Sequence, residues 1–193
     1  MNKSKVWLMW LAALTSIAVV TVALRAEQAT GKSEIVIRQV KPQTVLYTIY
    51  RGDYDRVGQA IGSLYAQAVK NKIWPSGALQ FAYLNNPDHV SKEHWLTEIR
   101  IPVKEDALKL AGTLGEMTDV KKLPTMTMVV ATKSAGQADA GPQYTNLGDW
   151  ILKHGYMVDG GPCEKFLSNA KTGNYTQMKS EIMIPVKKIS ASD

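Results

Sequence analysis

An internal repeat constrains the fold of this chain more than any other feature. Residues 97–104 read TEIRIPVK, and 83 positions later residues 180–187 read SEIMIPVK. The apolar stretches 45–50 (VLYTIY) and 128–133 (MVVATK) match at the same spacing. One copy alone would bury too little apolar surface to be stable, so we expect two copies that share a core.

The hydrophobic periodicity supplies the elements of each copy. It predicts two helices, near 55–72 and 142–154, and seven strands, near 35–39, 44–50, 80–83, 95–103, 125–132, 163–167 and 177–186. We divide the globular part, 35–188, into repeat one (35–104), a lysine-rich connection (105–122) and repeat two (123–188). The expected fold class is α+β, with duplicated β-α-β-β units related by a pseudo-twofold axis.

The N-terminus has the pattern of a membrane-targeting segment. Residues 6–24 carry no charge, follow Lys3 and Lys5, and end at Arg25. Such a run is long enough to span a bilayer, and basic residues before it favour a cytoplasmic N-terminus. Residues 1–25 are therefore predicted to be a signal anchor or a signal peptide, and 26–34 a tether. The poor cleavage site at Leu24-Arg25-Ala26 favours an uncleaved anchor in the inner membrane, with the domain in the periplasm or outside the cell. If the leader is cleaved, the domain is secreted.

Several kinds of site have little support. Cys163 is the single cysteine, which excludes an internal disulfide and a multi-cysteine metal site. His89, Glu93 and His94 lack the spacing and the third ligand of a metal site. No cluster of basic and aromatic residues is present, so we expect no nucleic-acid partner.

The order of three short motifs resembles the gyrase-inhibitor-like small-molecule-binding domains, which also occur as effector-binding domains of AraC-type regulators and are related to the SOUL domains. The motifs are Tyr50-Arg51-Gly52-Asp53-Tyr54, Leu84-Asn85-Asn86-Pro87 and the two Glu-Ile-x-Ile-Pro-Val strands. The resemblance covers about residues 35–188. It implies two β-α-β-β units whose sheets form an open, aromatic-lined cleft.

The resemblance also implies a glutamate at the bottom of that cleft. By position in the closing strand it matches Glu181, and Glu98 is its repeat mate. A carboxylate among aromatic rings would suit a lipophilic cation, because the rings add cation-π and dispersion contacts. The candidate rings are Tyr144 and Trp150, which rank first, and Tyr50, Trp74, Tyr83, Trp95, Tyr156 and Phe166.

The predicted function is binding of a small amphipathic molecule, cationic or aromatic, by an anchored or exported domain without a cofactor or metal. An enzyme is the less favoured alternative. Some relatives hydrolyse strained electrophiles, and Glu181 with Tyr144 or Tyr156 would be the catalytic candidates. Haem or tetrapyrrole binding through His154 or His94, and binding of an unknown protein partner, are the remaining alternatives.

Overall fold

The computed structural model describes residues 34–137, 139–167 and 175–190. The predicted anchor, residues 1–25, lies outside the described residues, as does the tether up to residue 33. Within the described ranges, no helix is both long enough and apolar enough to cross a lipid bilayer.

Nine strands and two α-helices form the described part of the chain, which confirms the predicted α+β class. The strands are β1 (Ile35–Val40), β2 (Gln43–Arg51), β3 (Gln80–Tyr83), β4 (Leu96–Val103), β5 (Thr118–Leu123), β6 (Met126–Lys133), β7 (Tyr156–Val158), β8 (Cys163–Phe166) and β9 (Ser180–Lys188). The helices are α1 (Val57–Lys70) and α2 (Gly141–Lys153). Short 3-10 turns occur at Tyr54–Arg56, Lys92–His94, Glu105–Leu110 and Tyr175–Gln177.

All strand pairs are antiparallel, in the order β1-β6-β9-β8-β3-β4-β2-β5, and β7 also pairs with β9. Equivalent residues of the two copies, 83 positions apart, have equivalent partners on the neighbouring strand. Val45 lies opposite Pro102 in the first half, and Met128 lies opposite Pro185 in the second. The strands of the two repeats thus occupy equivalent places in one sheet.

The predicted connection 105–122 differs from the structure at its C-terminal end. A 3-10 turn covers Glu105–Leu110, but Thr118–Leu123 forms β5, which pairs with β2. Strand β5 follows β1 by the repeat spacing of 83 residues. The sequence pattern does not predict β5, because Lys121 and Lys122 interrupt the apolar alternation and only Val120 of this strand is a buried apolar residue.

A long two-stranded ribbon joins the two halves of the sheet. Strands β1 and β2 follow one another along one side, and β5 and β6 along the other, with an unchanged register from Ile35–Ala131 to Thr48–Thr118. That register places Pro42 opposite Pro124. Neither proline has an N–H to donate, so the ladder is interrupted on both strands at this point.

The two faces of the sheet differ in what covers them. On the face that we call the helix face, α1 packs over Ile99 and Ile101, and α2 packs over Ile182 and Ile184. Alternation along the strands turns the intervening residues to the opposite face. There a smaller cluster of buried residues forms around Met128, Cys163 and Met183.

Candidate functional site

Glu164 lies near the centre of the helix face. It belongs to β8, where it is opposite Phe81 on one neighbouring strand and Ile182 on the other. Both partners belong to the cores under the helices. Glu164 is only 6% exposed. A carboxylate at such a position must be compensated by hydrogen bonds or an opposite charge.

Three side chains compensate Glu164. The Tyr83 hydroxyl donates to Oε2 at 2.7 Å, and the Ser180 hydroxyl donates to Oε1. The Lys133 ammonium nitrogen lies 2.6 Å from Oε1, and its side chain is only 3% exposed. We call Lys133, Glu164, Tyr83, Ser180 and the nearby Tyr144 the Glu164 cluster. It joins strands β3, β6, β8 and β9 with helix α2.

The two phenols of the Glu164 cluster resist ionisation. Burial raises the pKa of Tyr83 well above its ordinary value of 10.0, and the charge of Glu164 raises this pKa further. Burial is also the largest cause of the raised pKa of Tyr144, followed by the charge of Glu164. Both hydroxyls therefore stay protonated at neutral pH and can donate hydrogen bonds.

Two more aromatic rings extend from this cluster. The ring of Tyr54 meets that of Tyr83 edge-on, with centroids 5.9 Å apart, and lies 4.8 Å from the ring of Trp95. Burial raises the pKa of Tyr54 as well. Asn85 fixes the segment that carries Trp95, because its side chain accepts from the Leu96 N–H at 3.0 Å and donates to the His94 carbonyl at 2.8 Å. Three half-buried rings thus form one continuous aromatic surface.

The two glutamates predicted from the repeat lie on the opposite face. Glu181 pairs with Arg38 at 3.0 Å and with Lys165 at 3.4 Å. Glu98 is 4% exposed and is bound by Arg100 and Lys121. The predicted convergence of Glu181 with Tyr144 is not found, because Ile182 and Ile184 pack under α2 and alternation turns Glu181 away.

The predicted rings are spread over several places. Tyr83 and Tyr144 belong to the Glu164 cluster, and Trp95 adjoins it. Phe166 is a core residue, 4.8 Å from Phe81. Trp74 is 67% exposed. Trp150 and Tyr156 stack at 6.2 Å, with Lys188 over Tyr156, so Tyr156 does not meet Glu181. The hydroxyl of Tyr50 donates to the Asp53 carbonyl at 2.7 Å, and its ring lines a cavity of about 470 Å³ between β2 and α1.

The histidines considered for haem or metal binding lie at the surface. The ring of His154 stacks on Trp150 at 3.9 Å, and Nδ1 of His94 lies 3.0 Å from the Ser91 hydroxyl. In the ranges that the structure covers, no group of three or more His, Cys, Asp or Glu side chains could hold a metal ion.

Sequence reasoning missed Lys133, Glu164 and Ser180. A signal for the first two was present in the repeat itself. Glu164 is the repeat mate of Phe81, and Lys133 is the repeat mate of Tyr50. Two opposite charges at positions where the first copy has aromatic residues favour an ion pair that the first copy lacks.

Comparison with protein families decides where this fold belongs. The profile of the GyrI-like small molecule binding domain matches residues 33–187. The chain belongs to the GyrI-like family. This match confirms the resemblance to the gyrase-inhibitor-like domains that the sequence motifs indicate. A GyrI-like domain is a small-molecule-binding domain. A comparison with curated protein sequences found no match.

Solved structures agree with the GyrI-like assignment at the level of the fold. The C-terminal domain of EcmrR has a TM-score of 0.68 at 14% identity, over 81% of this chain and 99% of that one. EcmrR in its complex with DNA also has a TM-score of 0.68, at 12% identity, over 97% of this chain and 70% of that one. A Listeria innocua hydrolase encoded by lin2189 has a TM-score of 0.62 at 16% identity, over 84% and 96%.

Proposed function

We propose that this GyrI-like domain binds a small amphipathic aromatic molecule at the Glu164 cluster. The observation that carries the proposal is the hydrogen bond of 2.7 Å between Tyr83 and Glu164. The ring of Tyr54 contacts Tyr83, the ring of Trp95 contacts Tyr54, and Tyr144 lies near enough for the charge of Glu164 to raise its pKa. The rings supply apolar and stacking contacts, while the carboxylate and phenol orient a polar group. The two repeats, related by a pseudo-twofold axis, would form the walls of the cleft.

Lys133 changes the charge that such a ligand meets. A lone buried carboxylate would favour a cation, but the ammonium 2.6 Å from Glu164 already supplies the countercharge. A permanent cation would have to compete with Lys133 and would be repelled by it. We therefore propose that uncharged or zwitterionic aromatic molecules bind better than permanent cations.

Access to Glu164 requires a local rearrangement. Its side chain is 8% exposed, and Lys133 and Ser180 are also buried. A ligand that contacts the carboxylate must displace at least one side chain above it. Tyr54 and Trp95 are the best candidates, because both are half-buried and neither belongs to an α-helix or a strand. Tyr54 begins a short 3-10 turn, and Trp95 precedes β4.

Fluorine NMR of the 3-fluorotyrosine-labelled chain tests the location of the site. Triphenylphosphine oxide serves as an uncharged aromatic probe, and single Tyr→Phe variants assign the signals. We expect the probe to shift the resonances of Tyr54, Tyr83 and Tyr144. Tyr47 is the internal control, because it lies on the opposite face under Lys121. A shift confined to Tyr47, or no shift at all, would contradict the proposed site.

Hydrolysis is a second candidate, and the Glu164 cluster rather than Glu181 would carry it. A carboxylate joined to a protonated phenol pairs a potential base with a potential acid, and Lys133 could stabilise developing negative charge. A strained electrophile, such as an aryl epoxide, replaces triphenylphosphine oxide as the probe, and mass analysis of the recovered compound separates the two functions. An intact epoxide supports binding alone, and the gain of one water molecule on ring opening supports hydrolysis.

We also propose that residues 6–24 attach the chain to the inner membrane and that the globular domain lies outside the cytoplasm. We further propose that the domain has no nucleic-acid partner. The charge pattern of the leader supports the first two. Carbonate extraction of cell membranes tests the anchor. An anchored chain stays in the pellet, whereas a variant that starts at Glu34 is released.

A further inference from the structure

A cavity of about 220 Å³ lies on the opposite face of the sheet, at the point where the two-stranded ribbon joins the two halves. Every strand except β7 contributes to its wall. The floor is apolar and is formed by Met128, Met183 and Cys163, each at most 5% exposed, with Val40 and Met126 beside them. Methionine side chains adapt to occupants of different shapes.

The rim of this cavity is basic. Four cationic side chains line it: Arg38, Lys41, Arg100 and Lys165. Among the residues that the structure describes, two carboxylates pair with them. Glu181 is shared by Arg38 and Lys165, and Glu98 is shared by Arg100 and Lys121. Lys41 is exposed and has no ion-pair partner in the portion of the chain covered by the structure.

The contacts of Arg100 leave part of its guanidinium group available. It binds Glu98 through Nε at 2.5 Å, and no hydrogen bond from its two terminal nitrogens is found to another described residue. Those nitrogens form the fork that binds a carboxylate with two parallel hydrogen bonds. Gln43 and Gln80, hydrogen-bonded to each other at 3.2 Å, add polar groups at the same rim.

We propose that this cavity is a second binding site, which takes a small anion with an apolar tail, such as a short aliphatic carboxylate. The cationic rim would hold the carboxylate, and the methionine floor would hold the tail. The volume lies below the roughly 300 Å³ at which pockets for drug-sized ligands begin, which limits the tail to a short one. Cys163 and Glu164 are neighbours on β8 that face opposite sides, so this site and the Glu164 cluster are separate.

Methyl NMR of the full-length chain labelled at its methionines tests the proposal. Hexanoate is the probe, and hexanamide and hexylammonium are controls of the same length with no charge and with positive charge. We expect hexanoate to shift the signals of Met126, Met128 and Met183, with much smaller shifts from the two controls. Met117 and Met157 are exposed elsewhere and should not respond. Equal responses to all three compounds, or none at the three cavity methionines, would overturn the proposal.

Two substitutions should change hexanoate affinity in opposite directions. Lys41→Ala removes an exposed cation and should weaken binding roughly threefold, as expected for one solvent-exposed charge pair. Glu181→Gln removes the carboxylate that competes for Arg38 and Lys165, and should strengthen binding. Lys70→Ala, at the exposed end of α1, is the matched control and should have no effect. Weaker binding in Glu181→Gln would contradict the proposal. The outcome is independent of the function proposed for the Glu164 cluster, whose reporters are tyrosines on the other face.

Discussion

The ammonium of Lys133 lies 2.6 Å from Oε1 of Glu164, with both side chains almost fully buried. The two residues come from β6 and β8, which are not neighbours in the sheet, because β9 lies between them. The ion pair therefore spans a strand at the centre of the second repeat. Ser180 of that intervening strand donates to the same carboxylate.

Removal of one partner of this pair should destabilise the fold more than removal of both. Lys133→Met leaves Glu164 buried without its countercharge, and Glu164→Gln leaves Lys133 buried without one. Each should lower the free energy of unfolding by about 3 to 5 kcal/mol. The double variant should lose less than either single variant. Urea denaturation of the four proteins measures these losses, and a double variant less stable than both single variants would contradict the prediction.

Lys133 should also set the preference for ligand charge. We expect the wild-type chain to bind triphenylphosphine oxide better than tetraphenylphosphonium, a cation with similar phenyl groups. Lys133→Met should shift this ratio toward the cation by about tenfold or more, because the freed carboxylate attracts positive charge. Isothermal titration of both ligands gives the ratio. Lys165→Met, on the opposite face, is the control. An unchanged ratio in Lys133→Met would show that Lys133 does not act on the ligand.

The raised pKa values of Tyr83 and Tyr144 predict a loss of stability in alkali. In the unfolded chain these phenols ionise near their ordinary pKa of 10.0, whereas burial holds the protons on in the folded chain. Above pH 10 the unfolded state therefore loses protons that the folded state keeps. The free energy of unfolding should fall with rising pH, by at most about 1.4 kcal/mol per pH unit for each phenol.

Urea denaturation between pH 9 and 11 tests this pH dependence. Tyr83→Phe removes one of the phenols whose pKa is raised and should make the decline shallower. The prediction fails if the wild-type chain and Tyr83→Phe decline in parallel over this range.

Gly161 should be needed for the position of Tyr83. A Cβ atom at residue 161 would lie 2.7 Å from the Tyr83 carbonyl oxygen, a distance that forces the backbone to move. Gly161→Ala should therefore displace β3, lower stability and weaken ligand binding at the Glu164 cluster. Gly148→Ala is the matched control, since no atom lies within 4 Å of that Cβ and the residue is helical. It should stabilise the protein by roughly 0.5 to 1 kcal/mol. Thermal melts compare the two, and equal melting temperatures would contradict the clash.

The elements of the fold could be predicted from the sequence to a large extent, because burial follows the periodicity of the two copies. Helix α1 lies within the predicted range 55–72, and β3 has the predicted bounds of Gln80–Tyr83. Strands β5 and β7 could not be predicted from their patterns. Lys121 and Lys122 break the alternation of β5, and β7 has three residues with two of them exposed.

The candidate site was harder to predict than the fold. The repeat led to the prediction of Glu98 and Glu181, which occupy equivalent positions in the two copies. In the structure each of them pairs with two cationic side chains on the opposite face. Glu164 is concealed in a short strand between Cys163 and Lys165, and its partner Lys133 is 31 positions away in the sequence. The site forms where β6, β8 and β9 lie side by side. Their order in the sheet is set by tertiary structure, so the site could not be predicted from local sequence patterns.

The central claim is that the ligand binds at the Glu164 cluster and not at Glu181. A comparison of variants that neutralise one or the other of these carboxylates tests it most directly. The double variant Lys133→Met/Glu164→Gln removes the charges of the Glu164 cluster together, and Glu181→Gln removes the carboxylate on the opposite face. Isothermal titration with triphenylphosphine oxide then measures the affinity of each folded protein. We predict that the double variant loses about tenfold or more in affinity, while Glu181→Gln stays within about twofold of wild type, since 1.4 kcal/mol corresponds to tenfold. A loss in Glu181→Gln with full affinity in the double variant would contradict the account.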